Sequence, residues 1–129
     1  MSFDPRTLGT PVYDALSGLR ATTTDNTRLK EQKNQAVELY TYLSTWGMMR
    51  LKAEEMALSQ EGKRDVVRNY FSCLQQLSGV NNLNTPNGLE KLKNLSSDEY
   101  LGLTGLGLAL AQEFSFWATA VYHDVSGEA

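Results

Sequence analysis

The stretch Ser97–Tyr122 constrains the fold more than any other. Only Asp98, Glu99 and Glu113 carry charge before Asp124. Ser96 and Glu99 have the spacing of a capping box, in which a hydroxyl holds the third amide and a carboxylate reaches back, so a helix starts there. At about 100° per residue, Leu103, Leu106, Leu110, Phe114, Trp117 and Val121 fall on one broad face. Gly102, Gly105, Ala109 and Ala120 make a smooth neighbouring face, and Leu101 and Leu108 point in a third direction. A helix apolar nearly all round is buried on most sides, in a core or against partner chains.

Each glycine in this helix costs about 1 kcal/mol relative to alanine, so Gly102, Gly105 and Gly107 require a reason. Small residues that admit a neighbouring helix supply one. The string GLTGLG superficially suggests a nucleotide loop, but that motif follows a strand and opens a helix. Here a capping signal precedes it and the helical pattern runs on past it.

A chain of 129 residues is expected to form one domain, 1–129, with a hydrophobic core that needs no covalent staples. The single cysteine, Cys73, forms no internal disulfide and lies in an apolar helical pattern, which suits a core position and a reducing, cytoplasmic location. Met1–Arg20 is interrupted by Asp4, Pro5, Pro11 and Asp14, so no signal peptide is expected. The uncharged, largely apolar run Tyr100–Gln112 is 13 residues, short of the roughly 18 that a membrane span needs. Net charge is −3 and uneven. Residues 1–93 hold all twelve Lys and Arg against ten acids, a net of +2, and residues 94–129 hold five acids and no Lys or Arg, a net of −5. This excludes a strongly basic nucleic-acid binder while allowing a local basic patch.

In chain order, residues 1–9 read as an irregular lead-in. Thr10-Pro11 marks a first helix, capped by a hydroxyl with proline at the first helical position, and Val12, Leu16 and Leu19 give its apolar stripe. After the polar linker 21–27, a second helix runs from about Thr27 to Trp46, with Leu29, Ala36, Leu39, Tyr40, Leu43 and Trp46 on one face. Gly47 interrupts it, and a third helix over about 48–58 either continues or follows it. Residues 59–62 read as a turn. A fourth helix, about Lys63–Ser78, buries Val66, Val67, Tyr70, Phe71, Cys73, Leu74 and Leu77 and stops at Gly79. The segment 80–95 is the least ordered by composition, although Thr85-Pro86 can start a short helix ending near Asn94. The long helix follows, then a tail over 123–129. No segment alternates long enough to make a strand. The expected fold is all-α, a compact bundle of about five helices with a long, largely buried C-terminal helix.

The catalytic inventory is thin. His123 is the only histidine, at a helix end where it is solvated or a favourable charge. Cys73 points into the core, so a nucleophile–base pair is not expected. No spacing resembles a zinc site. Glu54-Glu55 and Asp98-Glu99 are adjacent pairs that diverge on a helix. Glu113 is an isolated acid among apolar residues, expected at an exposed edge or beside an arginine. No catalytic residue, metal or cofactor, and no enzyme activity, is expected. The positive feature is the cation set Arg50, Lys52, Lys63, Arg64 and Arg68. Arg64 and Arg68 are one turn apart, and Arg50 and Lys52 lie across a short turn if the third and fourth helices form a hairpin. Such point charges and guanidinium forks bind phosphates without reading sequence; the alternative is a solvated surface pairing with Glu54, Glu55 and Asp65.

The order of features resembles the small helical subunit of type III CRISPR effector complexes, the family of the Cmr and Csm small subunits. LYTYLSTWGMMRLKAEEM (39–56) looks like the family's helix–Gly–helix passage, and GKRDVVRNYFSCLQQL (62–77) looks like its Gly-Lys-led middle helix. LSSDEYLGLTGLGLALAQEFSFWA (95–118) looks like its terminal block and is the most specific of the three. The likeness spans about residues 10–122. It departs at Gly105 and Phe116, near places where the family's terminal helix often carries cations. The resemblance implies a non-catalytic, cytoplasmic subunit of an antiviral RNA-guided complex. Such a subunit stacks in copies along the complex, touching guide and target RNA and other subunits but no membrane. The five cations would contact phosphate, and Leu106, Phe114, Trp117 and Val121 would form the protein interface. The alternative is a helical protein–protein interaction subunit of another assembly, without nucleic-acid contact.

Overall fold

The computed structural model describes Asp4 and residues 6–125. Among the described residues six helices follow one another: α1 (Arg6–Ala21), α2 (Asn26–Trp46), α3 (Met48–Ala57), α4 (Glu61–Ser78), α5 (Gly88–Lys93) and α6 (Ser97–Val121). There is no strand among the described residues. The fold is the expected all-α bundle, with the short helix in the 80–95 segment making a sixth. α6 is the long central element and packs against α1, α2 and α4, while α3 packs on α4 and α5.

The start of α1 differs from expectation. It begins at Arg6, with Pro11 inside it. Asp4, not Thr10, holds the free amides: Arg6 N donates to Asp4 Oδ1 at 3.0 Å and Thr7 N to the Asp4 carbonyl at 2.9 Å. A proline in the second turn removes only one backbone bond, and the turn it prolongs places Gly9 against α6, beside Val12 and Leu16 in the buried stripe. Residues 6–9 of the expected lead-in are therefore helical; residues 1–3, Pro5 and 126–129 lie outside the described part.

α2 and α3 are separate helices. Gly47, at φ 90°, ψ 166°, holds a backbone shape that an L side chain rarely adopts, and the chain turns there. Trp46, expected on the apolar face of α2, is 53 % exposed instead. α4 starts at Glu61, earlier than expected. Gly62 is the close crossing with α2: a Cβ there would stand 2.6 Å from Glu31 Cβ, and its amide donates to Glu31 Oε1 at 2.9 Å. Gly79 ends α4 in the left-handed region, φ 76°, with its amide on the Gln75 carbonyl.

α6 opens on the expected capping box, Glu99 N donating to Ser96 Oγ at 3.1 Å and Ser96 N to Glu99 Oε1 at 2.9 Å. Its buried face comprises Leu103, Gly107, Leu110, Ala111, Phe114 and Ala118, a stripe turned toward Gly107, Ala111 and Ala118 and away from the smooth face of Gly102, Gly105, Ala109 and Ala120. Gly107 is where a helix approach is realised: a Cβ would meet Met48 and stand 2.6 Å from Tyr70 Oη, and Tyr70 Oη donates to the Gly107 carbonyl at 2.8 Å. Gly102 and Gly105 admit no helix of this chain. Nothing lies within 4 Å of a Cβ at either, and both are exposed.

A polar network ties the far end of the bundle. Arg28 Nε and Nη2 donate to Asp65 Oδ2 and Oδ1 at 2.7 and 2.9 Å. The fully buried Gln32 donates to Thr23 Oγ1 at 3.0 Å and to Asp65 Oδ2 at 3.1 Å, and accepts from Tyr122 Oη at 2.8 Å. Buried polar groups are tolerated when satisfied in this way.

Candidate phosphate-binding cleft

α3 and α4 form the expected hairpin across residues 58–60, and the 80–87 segment folds back beside them. Gln75 Oε1 holds that segment, accepting from Leu83 N at 3.0 Å and Asn84 N at 3.3 Å, and Asn84 Nδ2 donates to Ser72 Oγ at 3.3 Å. Between these elements lies a cleft of about 410 Å³, walled by Lys52, Glu55 and Met56 of α3, Arg64 and Arg68 of α4, and Asn84, Thr85 and Pro86.

The cations differ in freedom. Arg68 is exposed, its Nε standing 3.5 Å from Glu55 Oε2. Arg64 is half-buried: Nη2 donates to the Leu58 carbonyl, and Nε is buried without a hydrogen-bond partner. Lys52 is only 1 % exposed, which corrects its expected role as an open phosphate contact. Its ammonium donates to Glu55 Oε1 at 2.9 Å and stands 4.9 Å from the centre of the Phe71 ring. Gly88 covers it from α5, where a Cβ would stand 3.1 Å from Lys52 Nζ. The buried ammonium is thus compensated by one carboxylate and one ring, and its burial leaves it little reach to an outside phosphate.

Arg50 and Lys63 do not join the cleft walls. Residues two apart on a helix point to opposite sides, so Arg50 faces away from Lys52 and lies over the Trp46 ring at 4.2 Å. Lys63 is about 100° round α4 from Arg64 and is half-buried. The five-cation strip therefore reduces to Arg64 and Arg68, with Lys52 beneath. Asn84 and Thr85 were not legible as site residues; they arrive through the fold-back of a segment whose composition reads as irregular.

The expected protein-interface residues on α6 are mostly used inside the chain. Phe114 is fully buried, edge-on to Tyr70 at 5.7 Å between ring centres, which removes it from any outer surface. Leu106 and Val121 are half-buried against the core. Trp117 is half-buried, edge-on to Tyr13 at 5.6 Å, and its Nε1 donates to Glu113 Oε1 at 3.0 Å. The large apolar side chains left open on α6 are Leu101, 72 % exposed, and Phe116, 61 % exposed, beside the bare Gly102 and Gly105.

The remaining reactive groups are dispersed. His123 is exposed, with Nδ1 3.0 Å from the Ala120 carbonyl. Glu54 accepts from Tyr42 Oη at 2.8 Å, while Glu55 faces the cleft, so the pair diverges as expected. Cys73 is buried, and burial pushes its thiol up to about 11. Among the described residues no three His, Cys, Asp or Glu side chains cluster to hold a metal, and no helix is long and apolar enough to cross a membrane. No family model, curated protein or solved structure matches the chain.

Proposed function

We propose that the chain is a non-catalytic small subunit of a type III CRISPR RNA-guided effector complex, contacting RNA backbone through Arg64 and Arg68. The residue likeness in segments 39–56, 62–77 and 95–118 motivates the assembly. The cleft supports the contact: two guanidinium groups one turn apart stand beside Asn84 and Thr85. Those groups suit phosphate oxygens and carry no base readout. Glu55 lowers the local charge and makes the contact weak in isolation, as suits a subunit held in place by its neighbours.

Fluorescence anisotropy with a labelled single-stranded RNA across a salt series tests this. Weak, salt-dependent binding is expected, and Arg64→Glu with Arg68→Glu should flatten the slope of log K on log salt by about 1.4, roughly 0.7 for each phosphate no longer neutralised. Binding that ignores both salt and these charge reversals contradicts the proposal.

A second reading is a protein–protein interaction subunit without RNA contact. The open face of α6 around Leu101, Gly102, Gly105 and Phe116 favours it. Under that reading Phe116→Asp disrupts assembly, whereas reversal of Arg64 and Arg68 leaves it intact.

A further inference from the structure

To one side of the buried stripe of α6, α1 and α6 enclose a second pocket of about 360 Å³, lined by Arg6, Gly9, Thr10, Tyr13, Glu113 and Trp117. Its size lies in the range of small-ligand sites. Two aromatic rings form one corner, Tyr13 edge-on to Trp117 at 5.6 Å, and the exposed Phe116 extends the corner outward, 5.1 Å from Trp117 between centres. The Glu113 carboxylate lies beside them, accepting from Trp117 Nε1 at 3.0 Å. No Lys or Arg among the described residues pairs with it. The one cation at the rim, Arg6, is turned to Asp4 through Nε and Nη2, at 3.0 and 2.8 Å. Gly9 leaves the pair uncovered: a Cβ there would stand 3.4 Å from both Glu113 Oε1 and Trp117 Nε1, so a longer side chain at this position would fill the space.

A carboxylate with no cation paired to it among the described residues, set against the faces and edges of aromatic rings, matches one ligand chemistry. Ring faces attract a diffuse positive charge, and the carboxylate adds a direct ionic partner. An anion is repelled. A hard metal ion finds one carboxylate where it needs several oxygens. A neutral apolar molecule gains nothing from Glu113. We propose that this pocket binds a small organic cation, a free molecule bearing an alkylammonium or guanidinium group. The proposal is independent of the RNA contact at Arg64 and Arg68, on another part of the molecule.

Trp117 reports on the site once Trp46 is replaced. In a Trp46→Phe protein, choline and arginine methyl ester should each shift the remaining tryptophan emission saturably, while 3,3-dimethylbutan-1-ol, the uncharged analogue of choline, should not. Glu113→Gln keeps an oxygen acceptor for the Trp117 indole and removes the charge, and it should weaken choline binding by about tenfold or more. Reversal of Arg64 and Arg68 should leave choline binding unchanged. Absence of a saturable shift, or equal response to the uncharged alcohol, overturns the proposal, as does undiminished affinity in a folded Glu113→Gln protein. If Glu113→Gln does not fold, Tyr13→Ala at the exposed ring decides instead: weakened binding supports the site and unchanged binding refutes it.

Discussion

Gln32 joins three polar groups from separate elements in the core. Its amide serves Thr23, Asp65 and Tyr122 at once; a leucine of similar size leaves Tyr122 Oη with no partner, while Thr23 keeps the Leu19 carbonyl and Asp65 keeps Arg28. Because unsatisfied buried groups cost about 1–3 kcal/mol each, Gln32→Leu should lower the unfolding free energy by about 2 kcal/mol or more, read as a reduced midpoint in urea. Asp124 gives a pH signature. Hydrogen bonds from Arg20 at 2.5 and 2.9 Å lower its carboxyl to about 2, against about 3.9 in an unfolded chain. A carboxyl depressed in the folded state stabilises it above the unfolded value and loses that contribution as pH falls through the folded one. The loss should therefore fall between about pH 4 and pH 2, and Arg20→Ala should return Asp124 to the ordinary carboxyl range in a carbon-13 NMR titration. Cys73 was legible in the sequence as a core residue, because its neighbours Tyr70, Phe71 and Leu74 repeat at helical spacing. Gln32 was not legible. Nothing in LKEQKNQAV distinguishes a buried glutamine from a solvated one until Asp65 and Tyr122 arrive from distant parts of the chain.

At the scale of elements, α6 contains its own control experiment. Gly107→Ala drives a methyl into Tyr70 and Met48 and should destabilise the chain. Gly102→Ala and Gly105→Ala meet nothing within 4 Å and should each stabilise it by about 0.5–1 kcal/mol, since alanine is the better helix former. Thermal unfolding of the three variants checks the opposite signs. Where the open face of α6 carries a partner, the two stabilising variants should also weaken assembly. Ser96→Ala removes one half of the capping box and should cost about 1 kcal/mol. The start of α6 was readable because capping is local chemistry. Which face it buries was not. Large side chains such as Trp117 and Leu106 pull the apparent apolar direction toward themselves, whereas close packing among four helices favours Gly107, Ala111 and Ala118 at the contact. The start of α1 was misplaced for a related reason: the Thr10-Pro11 signal is genuine chemistry, but Asp4 offers a cap one turn and a half earlier, and the buried stripe through Gly9, Val12 and Leu16 favours the longer helix.

For the whole molecule, charge order along the chain proved a poor guide to charge order in space. Arg50 and Lys52 are neighbours in sequence and opposites on α3, and Lys52 is sealed beneath Gly88 of the short helix α5. What survives is a two-arginine cleft on one side, an aromatic, carboxylate-bearing pocket between α1 and α6, and an open stripe along α6. The RNA assignment stands or falls with the cleft. Nitrogen-15 chemical-shift mapping of the chain, titrated at low salt with a short single-stranded RNA, locates the contact residue by residue. Shifts concentrated at Arg64, Arg68, Asn84 and Thr85 and reversed by added salt are expected; shifts centred on Lys30 and Lys33 of α2, or none at any residue, contradict the assignment.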